Sequence, residues 1–435
     1  MVCGLSFGGT VHFCRAQSGT NVSYIIGSDT TWTQANSPYN FTGNVLVNNG
    51  VTLTIGADAT VNLNNYYLED NGSLIIQPGA NITIGLIGNG IEVNGVLSAI
   101  GTTVNPIYIN GNVQNHIFFA FYSALTFSPS SAGWNQQTNS GSIVENVVVT
   151  NTEFEVSSGV EISNSAFLSG ALTLINGSPT ILNDSITTGL GVIGGSPVIS
   201  NNTITGGLSI SAGSGIVADN IISGLSLNDA YGSPDSTLIE RNLISNSSIG
   251  ISCAIQSSVD SEVAIENNTV TNNAVGIQIE TPNAPAIFNN NIYGNTLNAK
   301  LSGQASSEIN LADNWWGTTD HQAINQTIYD FKNDFTVGTV DFVPFLSASN
   351  PEALPNPNAP IPTPAPTPMP TPSPTATPTP TPTPSTSPSP PPPITQSQQL
   401  ISSLPTVGAI IILIMGVAIV AFALGKRIVQ GQPPK

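Results

Sequence analysis

Between Val144 and Trp316 the chain repeats one short phrase: apolar, any, polar, Asn-like, any, apolar. The clearest copies are Ile199-Ser200-Asn201-Asn202-Thr203-Ile204, Ile239-Glu240-Arg241-Asn242-Leu243-Ile244 and Ile265-Glu266-Asn267-Asn268-Thr269-Val270. The first apolar residue of successive copies falls at Val144, Ile162, Ile181, Ile199, Val217, Ile239, Ile265, Ile287 and Leu311, in steps of 18, 19, 18, 18, 22, 26, 22 and 24. A period of about 20 with variable insertions is the signature of a solenoid, in which each copy is one rung and stacking buries a continuous core.

The residues within a copy choose the kind of solenoid. Apolar residues come in short alternating runs such as Gly276-Ile277-Gln278-Ile279, rich in Ile and Val, which is strand patterning. The Leu-x-x-Leu-x-Leu frame of leucine-rich repeats is absent. The turn position is Asn202, Asn220, Asn242, Asn268, Asn290 and Asn314 in successive copies. Asn tolerates the left-handed conformation that a sharp corner demands, and its amide can bond its own backbone or the Asn one rung away. An inward column of Ile beside a corner column of Asn describes a parallel β-helix. The segment Asn267-Asn268-Thr269-Val270-Thr271-Asn272-Asn273-Ala274-Val275-Gly276-Ile277 resembles the repeat of right-handed parallel β-helix proteins, the pectate-lyase-like superfamily. The resemblance implies an all-β fold and a range of functions: sugar hydrolases, lyases, carbohydrate-binding modules and surface proteins.

An earlier form of the repeat opens the domain. Gly50-Val51-Thr52-Leu53-Thr54-Ile55 is echoed after Gly72 and Gly95, at intervals of 22 and 23. Residues 101–142 are less regular, and their aromatics Phe118, Phe119, Phe121 and Trp134 read as core. A dozen rungs at ~4.8 Å each would give a rod on the order of 60 Å. Ahead of it, residues 1–18 read as a degraded signal peptide ending near Ala16-Gln17-Ser18.

The rod, residues 20–348, must cover its terminal sheet edge. After Asp313-Asn314-Trp315-Trp316-Gly317, Thr319-Asp320-His321-Gln322 reads as a capping box. Apolar residues at Ile324, Ile328, Phe331 and Phe335 predict a capping helix that Gly338 stops. Val340-Asp341-Phe342-Val343-Pro344-Phe345-Leu346 then closes the domain, and with Asn314-Trp315-Trp316-Gly317 it resembles the closing segment of bacterial and archaeal surface β-helix proteins. Residues 351–398 form a Pro/Thr/Ser-rich stalk, too proline-dense to pack a core and suited to polyproline II. Fully extended, 351–393 would reach on the order of 130 Å. Residues 404–425 predict one transmembrane helix, since Leu404 to Leu424 is free of charge. Lys426 and Arg427 on its far side place the tail, residues 426–435, in the cytoplasm and the rod outside.

Composition narrows the function. Formal charge is −18 with Lys and Arg totalling 7, which excludes nucleic acid as a partner. Three cysteines, Cys3, Cys14 and Cys253, give neither a disulfide framework nor a zinc pattern, and Cys253 alternates with Ile251 as a buried residue. Sequons stand at Asn21, Asn40, Asn71, Asn81, Asn176, Asn183, Asn201, Asn246, Asn267 and Asn325, which are candidate glycosylation sites in an exported chain. An Asn- and Thr-rich repeat also produces sequons by chance.

Enzyme readings find little support. Elimination on a uronate wants a basic residue and Ca²⁺ held by clustered Asp, yet residues 20–348 offer Arg241, Lys300 and Lys332 and no such cluster. The Asn-Thr-Asp, Asp-Asp, Gly-His-Gly and Arg-Ile-Lys segments of pectin hydrolases are absent. Asp219, Glu240, Glu262 and Glu266 are candidate carboxylates only because their rungs stack, with Arg241 expected as a surface charge beside Asp219. His116 and His321 are isolated. Copper handling, another activity of proteins with this repeat, would need soft ligands, but Met1, Met369 and Met415 lie outside the rod. The reading that results is a membrane-anchored surface protein with a binding, adhesive or structural role, contacting glycans and carrying no cofactor. The alternative is an enzyme degrading envelope polysaccharides.

Overall fold

The computed structural model describes residues 19–85, 90–111, 125–228, 236–255, 262–282 and 284–360. They form a parallel β-helix of the right-handed type. Its faces are three parallel sheets, here called A, B and C, of 13, 14 and 12 strands among the described residues. One rung shows how the sequence makes a turn of the helix. Val198–Ser200 lies in sheet C, Asn201 turns the corner, Thr203–Ile204 lies in sheet A, Gly206-Gly207 turns again, and Leu208–Ala212 lies in sheet B. The chain then enters sheet C one rung on, at Ile216–Ala218.

The register is the one that the repeat spacing predicts. Val144, Ile162, Ile181, Ile199, Val217, Ile239, Ile265 and Ile287 are partners on successive strands of sheet C and all point inward. Sheets A and B add their own inward columns, and the three meet in one continuous apolar core. Aromatic groups take part in the core: Trp32 stacks on Tyr39 at 4.9 Å, and Phe154 meets Phe167 edge-on at 5.3 Å. Cys253 is a core residue between Leu227 and Ile279, and burial pushes its thiol up to about 12. One inward position carries a carboxyl. Asp70 replaces an apolar residue between Val47 and Val93 on sheet B and is fully buried.

Two expectations change. Trp134 is not in the core. It stands half-buried in the excursion between Leu125–Phe127 and Ile143–Glu145, where Asn135 and Ser140 pair antiparallel. The capping helix is also far shorter than its apolar spacing suggested. It runs only from His321 to Gln326, and its N-cap is Asp320, not Thr319, accepting from the N–H groups of Gln322 and Ala323. The reason is competition for backbone partners: Ile328–Tyr329 joins sheet B beside Leu297–Leu301, leaving Phe331 and Phe335 largely exposed. Val340–Asp341 closes the rod as expected, pairing with Ile309–Asn310 while Phe342 packs against Trp316. Residues 1–18, Phe118, Phe119, Phe121, His116, the stalk beyond residue 360, and the predicted membrane span and tail lie outside the described residues. Among the described residues no helix is long and apolar enough to cross a membrane.

Candidate functional site

The corner between sheets C and A concentrates the polar residues singled out by sequence. Asn202, Asn220, Asn242, Asn268, Asn290 and Asn314 form a buried ladder there. Asn220 is representative: its Oδ1 accepts from the backbone and side-chain amides of Asn202 at 2.8 and 3.0 Å. Its Nδ2 donates to the carbonyls of Ile199 and Ala218 and to Asn242 Oδ1. Every rung therefore ties its corner to the next, satisfying groups that would otherwise be buried unpaired.

These asparagines do not themselves adopt the left-handed conformation. The residue just before each does: Asn201, Asp219, Arg241, Asn267, Asn289 and Asp313 have φ between 50 and 61°, as do Asn146, Asn164 and Asn183 at the same corner of earlier rungs. The corner thus divides the work, with one residue supplying the turn and the next the hydrogen bonds. The ladder also extends beyond its asparagines. Ser165 and Asp184 hold the same position, with Ser165 N donating to Asp184 Oδ1 and Asp184 N donating to Asn202 Oδ1. A search for Asn alone misses both. A second, shorter ladder links Ser247, Asn273 and Asn295 at the corner between sheets A and B.

The candidate charged residues meet at the C–A corner. Arg241 donates to both carboxylate oxygens of Asp219 at 3.0 Å each and contacts Glu240 at 2.6 Å. The Asp219 hydrogen bonds hold the guanidinium above its ordinary pKa, so Arg241 is committed as a cation to this clamp. Glu266 is the partner of Glu240 on the adjacent strand, and burial with the neighbouring charge raises its carboxyl. Glu262 is exposed and joins no ion pair among the described residues. Glu240 and Glu266 lie side by side on one sheet face, in register on adjacent strands.

The described residues do provide hollows elsewhere. A groove of about 500 Å³ runs across sheet B and its corner with sheet A. Its floor is one outward column of small residues, Thr173, Gly191, Ser209, Ser226 and Ser252, in register on adjacent strands. Gly189, Gly207 and Gly224 at the corner keep its side low. Along this column the first three steps are 18, 18 and 17 residues, with Gly at the turn, and that short even spacing is the signal in the sequence that marks the groove. A second hollow of about 540 Å³ opens where sheet C ends, between Ala286–Phe288 and Glu308–Asp313.

No protein family, curated protein or solved structure matches this chain. The site must be read from its own chemistry. The groove floor carries no charge: Thr173, Ser209, Ser226 and Ser252 bring hydroxyls, Gly191 interrupts them, and apolar residues such as Leu190, Leu208 and Leu225 make up much of the lining. Among the described residues no group of His, Cys, Asp and Glu could hold a metal ion.

The sequons differ in their surroundings. Asn21, Asn176, Asn183 and Asn246 are exposed. Asn40, Asn71 and Asn81 accept side-chain amide bonds from Asn62, Asn94 and Asn110. Asn201 and Asn325 are half-buried, and Asn267 Oδ1 accepts from Asn350 at 2.9 Å.

Proposed function

We propose that this chain is a cell-surface binding protein: an external β-helix carried on a Pro/Thr stalk, anchored by Leu404–Leu424, with a cytoplasmic tail. Its ligand is a neutral glycan lying in the groove of sheet B. The observation that carries the reading is the uncharged groove floor of Thr173, Gly191, Ser209 and Ser226, where three hydroxyls stand beside an apolar lining that includes Leu190, Leu208 and Leu225. Sugars offer matching hydroxyls and apolar ring faces, and a solenoid presents a repeating surface to a repeating polymer. Glycans attached at Asn176, Asn183 and Asn246 would decorate exposed corners without disturbing the ladders.

The test uses Gly191. A Cβ there would point into the groove, its nearest neighbour being Thr173 Cγ2 at 3.8 Å. Gly191→Trp should therefore fill the groove and leave the fold intact. In a glycan-array screen the native chain should retain neutral glycans, and Gly191→Trp should lose them about tenfold or more at unchanged thermal stability. Glycan binding indifferent to Gly191→Trp would remove the groove from the reading. Release of reducing ends from polysaccharides, abolished by Glu240→Gln or Glu266→Gln, would replace binding with catalysis.

A further inference from the structure

Beyond the closing strand Val340–Asp341 the chain turns back along the flank of the rod. Two stretches there share one pattern at a step of six: Asn350-Pro351-Glu352-Ala353 and Asn356-Pro357-Asn358-Ala359. Both fold alike. The Asn side chain accepts from the N–H two residues on, Glu352 at 3.0 Å and Asn358 at 3.1 Å. The Asn carbonyl accepts from the Ala N–H, at 3.3 Å in the first turn and 2.9 Å in the second. Proline at the second position pre-sets the turn, and the Asn side chain completes it.

Each turn offers its Asn backbone N–H to the solenoid. Asn350 donates to Asn291 Oδ1 at 2.8 Å, and Asn356 donates to Asp219 Oδ1 at 2.9 Å. The first turn is held further. Asn350 Nδ2 donates to Asn267 Oδ1 and to the Asn289 carbonyl, and its own carbonyl accepts from Asn291 Nδ2. Ala353 is fully buried, and its carbonyl accepts from Thr269 Oγ1 at 2.6 Å. Asn289, Asn267 and Asp219 all belong to the left-handed corner column. That column faces outward and so can present acceptors to a second chain segment while the adjacent ladder bonds inward.

We propose that this flank, from the Asn289 rung back to the Asp219 rung, is a recognition site for Asn-Pro-x-Ala turn peptides. The chain fills it in cis with residues 350–359. Specificity has three sources: the paired acceptors at Asn291 and Asp219, the amide at Asn267, and the closed space around Ala353. The Arg241 clamp acquires a role, since it holds Asp219 Oδ1 where Asn356 N–H can reach it. The bound segment keeps the described chain on the rod's flank as far as Asn356 and its turn. It also consumes both ends of the sequon Asn267-Asn268-Thr269, so a glycan on Asn267 and the docked turn exclude each other.

The experiment keeps the full chain and disables its own first turn with Ala353→Arg, a change that leaves every solenoid side chain in place. A synthetic peptide of residues 348–360 should bind this variant saturably. The same peptide carrying Arg at the Ala353 position should bind at least about tenfold more weakly. Amide exchange supplies an independent reading. The N–H groups of Asn350 and Asn356 should be protected in the native chain and exchange at least about tenfold faster in Ala353→Arg. No binding of the native peptide to the variant would overturn the proposal. So would equally fast exchange at Asn350 in the native and variant chains.

Discussion

Asp184 stands in the buried ladder between Ser165 and Asn202, at a position that the following rungs fill with asparagine. An Asn there accepts through Oδ1 and donates through Nδ2; Asp184 accepts from Ser165 N through Oδ1, while its Oδ2 is buried without a partner. Burial raises its carboxyl well above the ordinary range, with Glu161 adding to the effect. Asp70 is the second such group: desolvation lifts it from 3.8 to about 7, against the opposing hydrogen bonds from Gly72 and Leu74. Folded, both carboxyls keep their protons at pH values where the unfolded chain has released them. Raising the pH from about 4 to about 7 therefore favours unfolding, by at most about 4 kcal/mol for Asp70 alone. Thermal unfolding followed across that window should show the domain most stable in acid. Asp70→Asn should flatten the profile, and Asp184→Asn should raise stability near neutrality. A stability rising from pH 4 to 7 in the native chain would count against both assignments.

At the scale of the rung, two columns hold neighbouring coils together by different physics. Ile265 packs inward between Ile239 and Ile287 and is fully buried. Ile265→Ala should cost ~2–5 kcal/mol through lost burial and the cavity left behind. Asn268 sits beside it in the ladder, accepting from Asn242 and donating to the carbonyls of Ile239 and Glu266 and to Asn290 Oδ1. Asn268→Ala should cost roughly 1–3 kcal/mol by stranding those groups. Chemical denaturation of the two variants checks both figures, and midpoints equal to the native one would dissolve the register. That register was legible because strand alternation and rung length act on every copy at once. The left-handed position was misassigned by one residue. Asn stands at both corner positions in many copies, and only backbone geometry shows which one turns. Copies reading Asp219-Asn220 and Arg241-Asn242 carry the clue, because there only the hydrogen-bonding position remains Asn.

For the whole molecule, the charge-free stretch Leu404–Leu424 followed by Lys426-Arg427 argues for a single span with the rod outside. Protease added to intact cells should release the rod, while a tag placed after Lys435 stays protected. A protected rod with a cleaved tag would reverse the orientation. Where the described chain leaves the rod matters for how a surface protein meets its ligand. Because residues 350–359 lie along the flank, the chain does not depart from the rod's terminal rung. Docking at the flank leaves the groove of sheet B uncovered by this segment, since the donors and acceptors it uses belong to sheet A and to the corner between sheets C and A.

The repeat by itself determined the architecture: the period fixed the rung, the alternation fixed strand, and the recurring Asn fixed a corner with a ladder inside it. Such features are local and repeated, so each copy corroborates the next. What tertiary structure alone decided are contacts between residues far apart in sequence. The spacing Ile324, Ile328, Phe331 fits a helix, but Ile328 is claimed by the edge of sheet B, and an open edge outweighs one more helical turn. Asp219 and Arg241 were expected side by side, yet that Asn356 would complete their cluster could not be read from rung spacing. Nor could the burial that raises the Asp184 carboxyl, which comes from residues on neighbouring rungs.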